Sequence, residues 1–423
     1  MSNSSEPFRA TDGPWWQHVV STSAGTFAIY KYEAGIPGGD TRTSGYFKLA
    51  KFNGASWTTV YTNSASSGGQ VENISIDADS SGNLYVVAST HQGSSWGKSP
   101  TLLYRFPAGN YTNPKITRLS IGSSDKITSM YDSAHSTEDV LLMGQASDTP
   151  QFFTVDPSTG AVTSEVQLWK GQSSQPNSTV AEYPELTPGP SGEIFAGWFT
   201  TDNGILAGIQ NYYDAAFIES PDGGSTWYGP GGRLTLPIND TNTGPAYEVV
   251  NTNDPIEFLP YTNPRYPTNR GNYNAMNGFA YNNGSLFFMF GGPTPAPHTS
   301  YATLAWPGAT FANRTDSWRT ADGNQFVANE GNFSQNDTPN LTGTLYFTGA
   351  TPAGGGNDRL IVANTTNGGA TWCTYATSTQ TYATGNLHYI DPARINNSSG
   401  EIQAVFTYVT GSRTAIVYFA QDN

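Results

Sequence analysis

One cysteine, Cys373, stands among 423 residues, so an internal disulfide framework is excluded. Charge is also sparse: only 12% of residues are Asp, Glu, Lys or Arg, and no basic run occurs. The formal net charge is -14, which argues against nucleic acid or an anionic membrane surface as a partner. No apolar run is long enough to span a bilayer as a helix. Nor does any long stretch combine helical periodicity with good helix formers. What is abundant is glycine (46), proline (27) and aromatic side chains (13%). The aromatic content speaks against disorder, and the turn formers against long helices. The reading is all-β, with residues 1–423 forming one closed domain.

Thirteen Asn-X-Ser/Thr sites occur, among them Asn73, Asn110, Asn177, Asn239, Asn283, Asn313, Asn332 and Asn364. They point to a secreted, extracellular glycoprotein, and a monomer is expected. The alternative for the same residues is a polar surface rich in Asn, Ser and Thr.

Two segments share a pattern. The first is Ser220-Pro221-Asp222-Gly223-Gly224-Ser225-Thr226-Trp227, and the second is Thr365-Thr366-Asn367-Gly368-Gly369-Ala370-Thr371-Trp372. Each places a hydroxyl residue two positions before an Asp or Asn acceptor, then glycines suited to positive φ, then an aromatic plug. This is the Asp-box pattern, a structural turn of β-propellers. A second repeat agrees with it. Apolar runs led by a turn residue begin at Gly25, Gly82, Asp139, Gly192, Gly284, Gly343 and Gly400, mostly about 55–60 residues apart. The spacing predicts a seven-bladed β-propeller with a long insertion between the fourth and fifth blades.

In such a fold the turns between first and second strands, and between third and fourth, share the lower face. The upper mouth collects the other loops and is where function is expected. His91 follows the second strand of the second repeat, so it belongs to the mouth. His388 is placed there too, and His298 in an upper loop. His18 lies within an inner strand, and His135 falls on the lower face. Other mouth candidates are Trp15, Trp16, Arg42, Glu182, Tyr183, Arg265, Tyr266, Arg270, Asn272, Asn274 and Arg359. Arg265 and Arg270 stand in the insertion, two cations in a chain with few, and suit a carboxylate-bearing ligand. Trp16 could stack on a sugar face or pack in the core. For any single one of these residues a purely structural role is the competing reading.

Three stretches resemble the BNR-repeat β-propeller polysaccharide lyases that act on uronic acids. They are Ile74 through His91, Glu182-Tyr183-Pro184 with Ser220 through Pro237, and Met276-Asn277-Gly278-Phe279-Ala280. Within that family the size fits the fungal L-rhamnose-α-1,4-D-glucuronate lyases, which remove capping rhamnose from arabinogalactan side chains such as those of gum arabic. The resemblance implies His91 and Tyr183 as the catalytic pair. Arg265, Arg270, Tyr266, Asn277, Trp16 and His388 are then expected to bind substrate. Two departures stand out. Where the ulvan-lyase pattern has a second histidine, this chain has Gln70, Glu72 and Asn73. The family's arginine in the fourth blade is replaced near Trp198 and Phe199. The group that neutralises the substrate carboxylate is therefore not identified by motif.

The chemistry requires a base for the C5 proton, an acid for the leaving O4, and charge stabilisation at the carboxylate. His91 suits proton transfer near neutral pH. No cofactor is required. A structural Ca²⁺ in the channel is conceivable, but no spaced Asp/Glu cluster supports a catalytic metal. Two other classes share the fold. A sialidase-like hydrolase needs an arginine triad and a Tyr/Glu pair, yet Glu182 and Tyr183 are sequence neighbours and point to opposite strand faces. A sugar-binding lectin should repeat its binding residues blade after blade, and the polar loops here differ.

Overall fold

Short apolar runs separated by tight turns are the raw material of this chain, and they pair into antiparallel sheets of successive strands. The computed structural model describes residues 17–32, 46–64, 66, 70–90, 99–122, 124, 126–144, 149–171, 179–202, 211–239, 246–250, 276–291, 299–315, 318–327, 331–334, 343–384, 386–392, 403–410 and 414–421. Among the described residues there is no α-helix.

The first sheet is β1 (Val19–Thr22), β2 (Gly25–Tyr32), β3 (Tyr46–Phe52) and β4 (Trp57–Thr62). The second is β5 (Val71–Ala78), β6 (Leu84–Thr90), β7 (Pro100–Phe106) and β8 (Lys115–Gly122). The third is β9 (Ile127–Asp132), β10 (Thr137–Gly144), β11 (Thr149–Val155) and β12 (Val162–Gln167). A short strand, β13 (Trp169–Lys170), follows. The fourth sheet holds β14 (Thr179–Pro188), β15 (Ile194–Asp202), β16 (Asn211–Ser220), β17 (Tyr228–Gly229) and β18 (Gly232–Arg233). Then β19 (Ile238–Asn239) pairs in parallel with β13, and β20 (Tyr247–Val250) pairs with β16. The fifth sheet is β21 (Met276–Asn282), β22 (Ser285–Gly291), β23 (Thr299–Ala305) and β24 (Phe311–Thr315). The sixth is β25 (Gly331–Ser334), β26 (Leu345–Gly354), β27 (Asn357–Thr365), β28 (Cys373–Thr377) and β29 (Tyr382–Ala383). The last is β30 (Leu387–Pro392), β31 (Gln403–Thr410) and β32 (Thr414–Gln421).

Every run singled out by its leading turn residue becomes the second strand of its sheet. Gly25, Gly82, Gly192, Gly284 and Gly343 have positive φ at the turns before those strands. The count of blades is corrected, however. Six sheets carry four or more strands and are complete blades, where seven were expected. The last repeat forms a three-stranded sheet among the described residues.

The sheets form a propeller because each buries both faces against its neighbours. One apolar cluster joins the first and second sheets through Phe27, Phe47, Ile74 and Tyr104. Similar clusters lie at each following junction, for example Leu103 with Phe153, Phe152 with Trp198, Phe217 with Phe288, Phe287 with Trp372, and Leu360 with Phe406. Among the described residues, the last sheet meets the first through Val19, Ala28 and Val405, with Trp57 packed against them. Polar groups reinforce this seam. The buried His18 and Asp391 approach to 3.3 Å between Nδ1 and Oδ2, and Asp391 also accepts the His18 backbone N–H. Gln17 donates from Nε2 to the Pro392 carbonyl at 3.1 Å.

Candidate functional site

The faces of the ring are fixed by contacts between turns. His135 lies between β9 and β10, with Nδ1 2.6 Å from Asp132 Oδ2. A Cβ added at Gly223, between β16 and the following strand, would sit 3.0 Å from the His135 ring. One at Gly192, before β15, would sit 2.7 Å from Ala134. First-to-second and third-to-fourth turns therefore share the lower face, as the sequence implied, and His135 is part of it.

The 220–227 turn is held by its own side chains. Gly224 N–H donates to Ser220 Oγ at 2.8 Å, and Thr226 N–H donates to Asp222 Oδ1 at 2.7 Å. Trp227 is buried, donates from Nε1 to the Gly224 carbonyl at 3.0 Å, and packs edge-on against Phe152. The 365–372 turn has matching bonds. Gly369 N–H reaches Thr365 Oγ1 at 3.1 Å, and Thr371 N–H reaches Asn367 Oδ1 at 3.0 Å. Trp372 is buried against Phe287, Tyr301 and Trp318. Neither tryptophan faces the mouth.

At the opposite ends of the strands three segments meet. β6 ends at Thr90, and Ser89 Oγ accepts the Ser124 N–H at 3.3 Å. Ser124 Oγ in turn donates to the Met143 carbonyl and accepts the Lys126 N–H at 3.1 Å. Met143 N–H closes the knot on the Lys126 carbonyl at 3.0 Å. Lys126 thus stands at the start of β9, on the mouth side. Its Nζ lies 5.9 Å from the centroid of the Tyr183 ring.

Tyr183 is half-buried in β14, the inner strand of the fourth sheet. Its φ is +56°, a left-handed conformation that a tyrosine adopts only at a cost of about 1–2 kcal/mol. The cause is a bulge. Between Glu182 and Glu185 the β14 strand has two residues opposite Trp198 alone. Bulges recur on other inner strands, between Val71 and Asn73 of β5, Met276 and Gly278 of β21, and His388 and Asp391 of β30. A bulge breaks the alternation of side chains and turns one toward a new direction.

Three candidates from the sequence are thereby placed at irregular points of inner strands. Tyr183 is one, Asn277 is the extra residue of the β21 bulge, and His388 immediately precedes the β30 bulge. Glu182 pairs with Phe199 in the same β14 ladder. Arg359 lies in β27 opposite Thr351, in the third strand of its sheet rather than an inner one. Trp15, Trp16, Arg42, His91, Arg265, Tyr266, Arg270, Asn272, Asn274 and His298 lie outside the described residues. Thr90, the residue before His91, ends the strand that joins the Ser124–Lys126 knot. Sequence reasoning missed Lys126, which belongs to no motif. Its signal was positional: a cation just before an inner strand. Among the described residues no group of three or more His, Cys, Asp or Glu side chains converges as a metal site would require.

No family model matches the chain, and no curated protein matches it in sequence. Solved structures do share the fold. An ulvan lyase of polysaccharide lyase family PL25 superposes with a TM-score of 0.65 at 9% identity, over 99% of this chain and 96% of that one. The same enzyme bound to -[GlcA(1-4)Rha3S]- gives 0.65 at 10% identity over the same shares. An α-L-arabinofuranosidase from Fusarium graminearum gives 0.50 at 10% identity, over 86% of this chain and 98% of that one. At these identities the likeness establishes the β-propeller fold alone.

Proposed function

We propose that this chain is a secreted polysaccharide lyase that cleaves at O4 of a glucuronate by β-elimination. Its proposed substrate is the L-rhamnose-capped glucuronate of arabinogalactan side chains such as those of gum arabic. The observation that carries the reading is Tyr183, held at φ +56° by a bulge on an inner strand at the mouth. Backbone strain of this kind persists where surrounding structure imposes it, and it clusters at working sites. The shared fold with a lyase that binds a glucuronate–rhamnose repeat supports the substrate class. The 220–227 and 365–372 turns, with their matching hydrogen bonds, are read as Asp boxes of the BNR type.

In this mechanism His91 takes the C5 proton, whose acidity rises as charge flows toward the C6 carboxylate. The C4–O4 bond then breaks, a C4–C5 double bond forms, and Tyr183 gives its phenolic proton to the departing O4. Rhamnose leaves intact, and the glucuronate becomes unsaturated. Proton transfer from a positioned side chain is worth about 10²–10⁴-fold in rate. No cofactor is required, since neither oxidation nor group storage is involved. The protein acts as a monomer on a uronic-acid-containing polysaccharide.

The test is incubation with gum arabic and with ulvan while following the ultraviolet absorbance of an unsaturated uronate. Release of rhamnose with growing absorbance is expected from gum arabic. New reducing ends without absorbance would instead show a glycoside hydrolase. Binding without turnover would show a lectin. Tyr183→Phe, which keeps the ring and removes the acid, should lower kcat by about 10²–10⁴-fold.

A further inference from the structure

We infer that Lys126 is the cation that receives the substrate's C6 carboxylate, an assignment that rests on the uronate reading above. The need is chemical. The negative charge released at C5 flows into the carboxylate, and a preorganised positive charge at that point lowers the barrier. Several other described cations stand on outer strands or surface turns. Lys48 lies over the Tyr32 ring, Lys51 over Phe27, Lys115 donates to the Ser158 carbonyl, and Arg319 donates to Gln325. Lys126 differs in both place and orientation. It opens an inner strand on the mouth side, and its ammonium lies 5.9 Å from the Tyr183 ring centroid.

That juxtaposition matches the substrate. O4 and the carboxylate are borne by neighbouring carbons, C4 and C5, of one sugar ring. An acid for O4 and a cation for the carboxylate must therefore stand side by side on one wall of the site. Tyr183 and Lys126 do so, on the adjacent third and fourth sheets. The position of Lys126 is also well fixed. Its backbone N–H and carbonyl are both bonded, to Ser124 Oγ and Met143 N–H, in the knot that reaches Ser89 near the end of β6. A lysine so anchored presents a point charge on a flexible stem, suited to a carboxylate rather than to planar bidentate recognition. The same residue explains how the chain works without the arginine that the lyase pattern has in the fourth blade.

The experiment compares wild type, Lys126→Met and Lys126→Arg, each as the full chain, on a rhamnosyl-glucuronate disaccharide and on its C6 methyl ester. Lys126→Met should lose about 10²–10³-fold in kcat on the acid, the loss typical of removing one charge-stabilising donor. On the ester, which carries no carboxylate charge, it should lose far less, and Lys126→Arg should restore part of the acid's rate. Equal losses on acid and ester, or no loss on either, overturn the assignment. Calorimetric titration with D-glucuronate against D-glucose separates this outcome from failure of the lyase reading. If wild type forms no unsaturated product yet binds glucuronate in a Lys126-dependent way, the lyase reading fails and the carboxylate site stands. If glucuronate binds wild type and Lys126→Met equally, the site is wrong whatever the reaction.

Discussion

At the scale of single residues, the most sensitive positions are the glycines that let a tryptophan plug its turn. Gly224 has φ +88°, and a Cβ there would lie 2.3 Å from Phe152 Cε1. Gly369 has φ +82°, and a Cβ there would lie 1.8 Å from Tyr301 Oη. Alanine at either site meets both a disfavoured backbone and an occupied volume. Each substitution should destabilise by about 2–4 kcal/mol, read from urea unfolding. Gly231, with nothing within 4 Å of its added Cβ, is the control, and Gly231→Ala should change little. These glycines were legible in the sequence because a turn motif is local. Tyr183 was legible as a residue type but not in its backbone state, since the bulge depends on pairing with a strand that follows it in the chain. Lys126 was legible only as a cation just before an inner strand. Its meaning comes from Tyr183, which lies 57 positions away in sequence and 5.9 Å away in space.

At the scale of strands, glycine-led runs showed where each second strand would form, because turn chemistry and apolar runs are written side by side. The number of strands per sheet was not so written. The fourth sheet recruits β17, β18 and β20 around β16, whereas the last sheet shows three strands among the described residues. Outer strands are short and half-exposed, so their sequences carry little periodic signal. The β15–β16 pair also sets a pH dependence. Burial, with Glu193 adding repulsion, pushes the Glu219 carboxyl up to about 7. Its pKa is thus higher folded than unfolded, so the folded state holds this proton more tightly. Stability from this group is fully present below about 4.5 and is lost as pH rises toward about 7. Glu219→Gln should flatten that decline and make the variant more stable than wild type at pH 8. Urea midpoints measured across pH would show it, and parallel curves for the two proteins would reject the assignment.

At the scale of the whole molecule, the ring closes where the last sheet meets the first. Among the described residues Val19, Ala28 and Val405 pack together where the first and last sheets meet, and the His18–Asp391 pair lies buried at the same seam. Asp391→Ala removes the buried acceptor of the His18 backbone N–H and should cost about 1–3 kcal/mol, with proteolysis appearing first at the first and last sheets. Charge acts over the same scale. The protein carries a net charge of -14, and the proposed substrate is a polysaccharide whose side chains carry many glucuronates. Two like-charged partners repel at long range, and this repulsion falls as salt shortens the Debye length from about 30 Å at 0.01 M to about 8 Å at 0.15 M. The proposed pairing of Lys126 with a carboxylate would be a direct contact on a partly buried wall, so it would be screened far less. Raising salt over that range should therefore increase kcat/KM on the polymer several-fold while leaving kcat nearly unchanged. A rhamnosyl-glucuronate disaccharide, with its single charge, should show a much smaller rise. Lys126→Met should lower kcat at both salt concentrations by the same factor, because it removes the local interaction and leaves the long-range field almost as it was. A kcat/KM that instead falls as salt rises would mean that a positive mouth dominates encounter, and the cations of the 251–275 segment would then be the ones to replace.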